Sequence, residues 1–218
     1  MKVMILDTYS SYHRMFENEG WEITSSPNEA DLICFTGGND VDPSLYGQTM
    51  HPYTSSPDKE RDAYEAEVFF SCKRRGTPMV GICRGAQFLH VMNGGTLIQH
   101  VNNHASKPHH PLITIDWYDK DIEVVTSSHH QMMDIRETNG ELLAYSERRG
   151  TIYEGDDGVA VKPDWMDAEV VWHEKSKCLC HQPHPEWMDN NAPYVQYFWY
   201  TVNKYCLGEE DESKNSSV

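Results

Sequence analysis

Short apolar runs alternate with amphipathic stretches through the first half of the chain. Val3–Leu6 predicts a buried strand, and Tyr9–Glu19 a helix that passes from polar to apolar and stops at Gly20. Asp31–Phe35 predicts a second strand, which runs into the sharp turn Thr36-Gly37-Gly38-Asn39-Asp40. Glu60–Arg75 predicts a helix, with Ala63, Ala66, Val68, Phe69 and Phe70 as its inner face and Gly76 as its stop. Pro78–Ile82 predicts a strand and Arg84–Met92 a helix closed by Asn93-Gly94-Gly95. Strands that alternate with helices imply an α/β fold, with a parallel sheet covered on both faces.

The second half is richer in strands. Leu112–Ile115, Ile122–Thr126, Glu141–Ser146, Thr151–Glu154, Val159–Val161, Glu169–Trp172 and Cys178–His181 have strand patterning, and Asn139-Gly140 and Asp157-Gly158 are turn signals between them. An aromatic-rich helix over Ala192–Tyr205 is expected to pack on the sheet. No repeat or long linker divides the chain. One domain over residues 1–207 is expected, followed by an acidic, disordered tail over 208–218.

Charge and cysteine content narrow the function classes. The formal net charge is -16, from 34 acidic and 18 basic residues, so phosphate backbones and anionic membrane surfaces are repelled. No stretch approaches the roughly 18 apolar residues of a membrane span. Asp7 arrives too early for a signal peptide. Six cysteines are too few for a disulfide scaffold in 218 residues, so a reduced, cytoplasmic protein is expected, without nucleic-acid or membrane partners.

The most informative segment is Met79-Val80-Gly81-Ile82-Cys83-Arg84-Gly85-Ala86-Gln87. A buried strand passes directly into a helix, with Cys83 at the junction and a glycine two residues to each side. This follows the logic of a nucleophile elbow with cysteine in place of serine. The amides that open the helix favour a thiolate and help hold an oxyanion. A structural cysteine in a glycine-containing turn is the plain alternative. Cys34 and Cys72 read as core positions and Cys206 as a helix end. Cys178 and Cys180 share one face of a strand, without a second pair at zinc-like spacing.

A thiol nucleophile needs a base, and the base needs a group to fix its tautomer. His184-Pro185-Glu186 offers both: an extended backbone held by Pro183 and Pro185 would project His184 and Glu186 to one side. His181 falls on the other face and is expected at the surface. His100, His104, His109 and His110 form a cluster whose spacings of four, five and one could supply metal ligands, but no acidic partner is in step with them, so it reads as a solvated loop; no metal and no cofactor are expected. The Gly37-Gly38 turn could aim backbone amides at an oxyanion from the side opposite Cys83, although alone it is an ordinary tight turn.

Taken together, these segments resemble the class I glutamine amidotransferases, and within them the γ-glutamyl-γ-aminobutyrate hydrolase-like branch, peptidase family C26. The matching pieces are Gly37–Gly47, Arg61-Asp62-Ala63-Tyr64-Glu65, Gly81–Gln87, Asn93–Gln99, Ser127-Ser128-His129-His130-Gln131 and Gln182–Trp187, in family order. The resemblance implies a flavodoxin-like three-layer sandwich with a mostly parallel central sheet and additional strands in the second half. It implies a triad of Cys83 as nucleophile, His184 as base and Glu186 as orienter. It places the oxyanion hole at the amides of Gly37, Gly38 and Arg84. It sets Gln87, Ser128, His129, His130 and Gln131 beside the glutamyl group, which favours a pocket wall over a metal site for the doubled histidine. Pro183 stands where the family usually has a hydrophobic or aromatic residue.

The expected function is cysteine-dependent hydrolysis of a small γ-glutamyl amide, a γ-glutamyl-amine or glutamine, through a glutamyl thioester. The alternative is a glutaminase subunit that delivers ammonia to a separate synthetase partner. A binding module that keeps the fold without catalysis is the third reading, and the intact Cys83, His184 and Glu186 set argues against it.

Overall fold

The separate apolar runs become neighbours in one nine-stranded sheet of order β2-β1-β3-β4-β13-β12-β10-β7-β8. The computed structural model describes residues 1–6, 10–105, 109–115, 117, 121–136, 138–162 and 166–209. The strands of the first half are β1 (Lys2–Ile5), β2 (Glu22–Ile23), β3 (Leu32–Phe35) and β4 (Met79–Ile82), with helices α1 (Ser10–Asn18), α2 (Lys59–Arg75) and α3 (Arg84–Met92) between and after them. They are followed by β5 (Thr96–Ile98), β6 (His100–Val101), β7 (His109–Thr114), β8 (Ile122–Thr126), β9 (Met132–Asp134), β10 (Glu141–Glu147), β11 (Tyr153–Glu154), β12 (Met166–His173), β13 (Cys178–His181) and α4 (Pro193–Thr201). The run β2-β1-β3-β4-β13 is parallel, and β12, β10, β7 and β8 extend it in antiparallel pairings. Two short antiparallel pairs, β5–β9 and β6–β11, lie outside the main sheet.

Period-two alternation divides the core between the two faces of the sheet. Val3, Leu32, Cys34, Val80, Ile82 and Leu179 face α1 and α4, where Tyr12, Phe16, Tyr194 and Phe198 cover them. Met4, Ile33, Phe35, Met79, Cys178 and Cys180 face α2 and α3, where Val68, Phe69, Phe88 and Leu89 cover them. The strands read as continuous apolar runs because both faces are roofed.

The inner face of α2 differs from expectation. Ala63 and Phe70 are exposed, and the buried positions are Asp62, Glu65, Val68, Phe69 and Cys72. The acidic residues turn inward because the buried Arg84 of α3 needs them as counter-charges: its guanidinium contacts Asp62 and Glu65.

His181 is likewise not at the surface. It is fully buried, with Nδ1 2.9 Å from the Tyr194 hydroxyl and Nε2 3.0 Å from Thr201 Oγ1. In a sheet covered on both sides, alternation moves a side chain to the opposite core, not to water. Of the stretch expected as a solvated loop, His104 and His110 are buried against β12. Val159–Val161 forms only a single bridge, at Ala160. The acidic tail from residue 210 onward lies outside the described residues.

Candidate active site

β3, β4 and β13 lie side by side and parallel, so their carboxyl ends open on one edge of the sheet. They lead respectively into Thr36-Gly37-Gly38, into Cys83, and into the segment that carries His184. Three segments remote in sequence are thereby delivered to one crevice, where ligands of open α/β sheets bind.

Cys83 takes φ 54° and ψ −112°, a conformation that L-residues rarely adopt, and it immediately precedes α3. Such a residue costs about 1–3 kcal/mol and persists only where its surroundings enforce it. Here a Cβ on Gly81 would lie 2.5 Å from the Gly85 carbonyl carbon, and one on Gly85 would lie 2.2 Å from the Phe35 carbonyl oxygen. The two glycines permit the close approach that presents the sulfur at the start of the helix. The Cys83 N–H donates to the His181 carbonyl at 2.8 Å, which ties the elbow to the next strand.

His184 is fixed through both backbone and ring. Its N–H donates to Thr126 Oγ1 at 2.9 Å, and that hydroxyl donates to the His184 carbonyl, also at 2.9 Å. Nδ1 is 2.7 Å from Glu186 Oε1, and Nε2 is 3.0 Å from Ser128 Oγ. The backbone route differs from the extended segment expected: Pro185–Trp187 is a short 3-10 turn, and it still returns the carboxylate to the imidazole. The Trp187 indole stacks on the ring at a centroid distance of 3.7 Å and an interplanar angle of 6°. Burial by itself lowers the basicity of His184. The charge and hydrogen bond of Cys83, and then the Glu186 carboxylate, more than offset it and lift the pKa to about 10.

The glycine turn is held from behind. Arg61 donates to the carbonyls of Thr36 at 2.9 Å and Gly37 at 3.0 Å, and through Nε to Glu65 at 2.7 Å. The Gly37 amide donates to the Tyr12 hydroxyl at 3.0 Å, so it is engaged within the protein. Gly38 has φ 145°, and a Cβ there would stand 2.4 Å from Arg61 Nη1. Arg84 uses its guanidinium on Asp62 and Glu65 and is 2% exposed. What it can offer a ligand is its amide in the first turn of α3, where N–H groups have no intrahelical acceptor.

Two clefts meet at Cys83. One, of about 380 Å³, is walled by Tyr12, Gly37, Gly38, Ser128, His184 and Trp187. The other, of about 200 Å³, is walled by Gly38, Asp40, Gln87, Ser128, His129, His130 and Gln131. All five residues expected in the pocket thus gather on one side of the sulfur. Gln87 Nε2 donates to the Gln131 carbonyl at 2.9 Å and to Gln182 Oε1 at 3.1 Å, and His130 Nε2 lies 3.0 Å from Asp40 Oδ2.

Sequence reasoning did not find Tyr12, Thr126 or the ring stack of Trp187. Tyr12 is an aromatic residue on an amphipathic helix, and nothing local distinguishes its hydroxyl from that of a core tyrosine. Trp187 stands three residues after His184, and an aromatic residue at that spacing was the available signal.

The profile of the Peptidase C26 family matches residues 17–186. Over 69 residues the chain is 49% identical to a Mycobacterium tuberculosis protein provisionally named a glutamine amidotransferase; the match covers 32% of this chain and 22% of that protein. It is 39% identical over 80 residues to a glutamine amidotransferase-like protein of Lactococcus lactis subsp. cremoris, covering 37% of this chain and 43% of that one. These matches span less than half the length of either relative. Among solved structures, a glutamine amidotransferase of Thermotoga maritima superposes with a TM-score of 0.58 at 14% identity, over 99% of this chain and 92% of that one. A Thermoplasma acidophilum protein, provisionally named as one of the subunits of GMP synthase, gives 0.63 at 13%, over 95% and 94%. Likeness at such identities concerns the fold, a mixed sheet with helices on both faces.

Proposed function

The chain belongs to the Peptidase C26 family, and from that premise we propose that it hydrolyses the amide bond of a small γ-glutamyl compound, with Cys83 as nucleophile, His184 as acid and base, and Glu186 as orienter. One observation carries the reading. Cys83 stands at the start of α3 in an enforced backbone conformation and lines one cleft with His184, whose Nδ1 is 2.7 Å from a buried carboxylate.

In this reaction the Cys83 thiolate attacks the γ-carbonyl carbon. The oxyanion that forms is held by the amides of Gly38 and Arg84, while Gly37 contributes through its bond to Tyr12 by fixing the turn. His184 gives its Nε2 proton to the departing amine, the C–N bond breaks, and a glutamyl thioester remains on Cys83. Water then enters the larger cleft and loses a proton to the now neutral Nε2. Its oxygen bonds to the acyl carbon, and the C–S bond breaks to release glutamate and restore the thiolate. Glu186 accepts the hydrogen bond from Nδ1–H throughout. The smaller cleft receives the glutamyl group against Gln87 and Ser128–Gln131, and the larger one receives the amine half.

The test is a turnover screen of glutamine and several γ-glutamyl amines, with Cys83→Ala as blank. Steady release of glutamate from at least one γ-glutamyl amine, absent in the variant, is expected. Turnover of glutamine alone, raised by a co-purifying synthetase, would instead make the chain the ammonia-delivering half of a two-component enzyme.

A further inference from the structure

Three histidines and a glutamate converge in the wall beside the Cys83 cleft, and the site chemistry above uses none of their free atoms. His104 and Glu169 are fully buried, His110 is 3% exposed and His129 4%. One ring nitrogen of each histidine is committed outward. His104 Nε2 is 2.9 Å from Asp167 Oδ2, His129 Nδ1 is 2.7 Å from the Gln131 carbonyl, and His110 Nδ1 is 2.9 Å from the Pro111 carbonyl. An oxygen acceptor on each of those nitrogens favours the tautomer with the proton there, which turns a lone pair to the other nitrogen. Those other nitrogens, His104 Nδ1, His110 Nε2 and His129 Nε2, together with Glu169 Oε2, are buried and have no hydrogen-bond partner among the described residues. Ligand atoms of His104, His129 and Glu169 lie within 4.8 Å of one another, and His110 Nε2 is 3.2 Å from Glu169 Oε1.

Lone pairs and a carboxylate gathered in an apolar interior repel unless something positive lies between them. From this geometry we infer that His104, His110, His129 and Glu169 form a structural site for one divalent transition-metal ion of the zinc class. A tetrahedral zinc with bonds of about 2.0–2.1 Å needs ligand atoms about 3.4 Å apart. Binding would have to draw the present atoms, which lie within 4.8 Å of one another, together by that difference. Imidazole nitrogens with a single carboxylate suit zinc and exclude calcium and magnesium, which take oxygen ligands. The outer groups fit as well: Asp167 on His104 and Ser146 Oγ, 3.1 Å from Glu169 Oε1, supply the supporting contacts that metal ligands require. The two carboxylates, Glu169 and Asp167, balance the charge of a divalent ion.

Burial of all four donors leaves no open coordination position, so the ion is structural and not catalytic. It ties β12 and β7 to the segment after β8. Ser128, which touches His184 Nε2, is the residue next to His129. The sequence offered the His100–His110 spacing but not its acidic partners, which lie more than fifty residues downstream in β12.

The test uses the full chain without a histidine tag. Elemental analysis should find one zinc per chain. After chelator treatment, titration with cobalt(II) should give the visible absorption of a tetrahedral complex, saturating at one equivalent and displaced by zinc. Zinc should raise the melting temperature of the stripped protein. Glu169→Gln should weaken cobalt binding by at least the roughly 10–100-fold that loss of an outer-shell partner costs, and His109→Ala, at an exposed neighbour, should leave it unchanged. Should Glu169→Gln fail to fold, the wild-type titration decides alone. A stripped wild-type protein that gives no tetrahedral spectrum, and melts at the same temperature with and without zinc, overturns the site and leaves a polar network occupied by a proton or water.

Discussion

Replacing Glu186 by glutamine isolates the carboxylate's charge from its shape. Oε1 lies 2.7 Å from His184 Nδ1, and the Glu186 side chain is fully buried. At an effective dielectric of about 20 the pair attraction has an upper bound of about 6 kcal/mol. The glutamine amide keeps part of it as a dipole, and a charge at this range typically accounts for about 1–3 pKa units. His184, which sits at about 10, should therefore fall by that amount. The reactive thiolate–imidazolium pair is lost as pH rises through the His184 pKa, so the alkaline limb of the rate profile should move down with it. Loss of the orienting carboxylate costs about 10⁴-fold in the serine-triad case. A thiol depends less on its base, so a decrease in kcat of roughly 10–10³-fold is expected, about 1.4–4 kcal/mol of barrier. The assay is kcat against pH on a γ-glutamyl amide where chemistry limits the rate, with circular dichroism as folding control. A folded variant with unchanged kcat and an unmoved alkaline limb would remove Glu186 from the mechanism and leave a Cys83–His184 dyad.

Iodoacetamide at mildly acidic pH should label Cys83 first, because burial raises the pKa of Cys72, Cys178, Cys180 and Cys206; prior labelling of Cys178 or Cys180, read by peptide mass spectrometry, would contradict the assignment. Burial holds His90 at about 4 and His173 and His181 at about 3. Their folded pKa lies below the unfolded one, so the stability they contribute is complete above about pH 6.5 and drains as pH falls toward 4, at roughly 1.4 kcal/mol per unit for each. Urea titrations at pH 7.5, 5.5 and 4.5 should show that loss, and a flat profile would refute it. Gly85→Ala should destabilise by about 3 kcal/mol or more, since its Cβ would meet the Phe35 carbonyl at 2.2 Å; an unchanged denaturation midpoint would show that the elbow can relax. Tyr12→Phe should keep the fold and lower kcat several-fold while freeing the Gly37 amide, and steady-state kinetics at equal circular dichroism decides it.

What the sequence disclosed was whatever two or three neighbouring residues could encode. Gly81-Ile82-Cys83-Arg84-Gly85 specifies its own elbow, and His184-Pro185-Glu186 brings imidazole and carboxylate together through the backbone. The parallel half of the sheet was legible because each strand there is a closed apolar run. What the sequence did not disclose depends on strand order. β12 lies between β13 and β10, and only that neighbourhood carries Asp167 and Glu169 to His104 and His110. The misplacement of His181 has the same root: alternation assigns a face, and only the covering helix α4, with Tyr194 and Thr201, decides whether that face is wet. The Asp62 and Glu65 pair turned inward because of Arg84, a residue nineteen or more positions away that reads locally as the surface charge of a helix start.

The most direct measurement of the central claim is intact-protein mass spectrometry of the chain mixed with a γ-glutamyl amide and quenched in acid within the first turnovers. The account predicts a transient mass increase of one glutamyl acyl group, located on the peptide that contains Cys83. It also predicts that the adduct is absent in Cys83→Ala and disappears as glutamate accumulates. Glutamate release that continues in Cys83→Ala, or an adduct on any other residue, would contradict it.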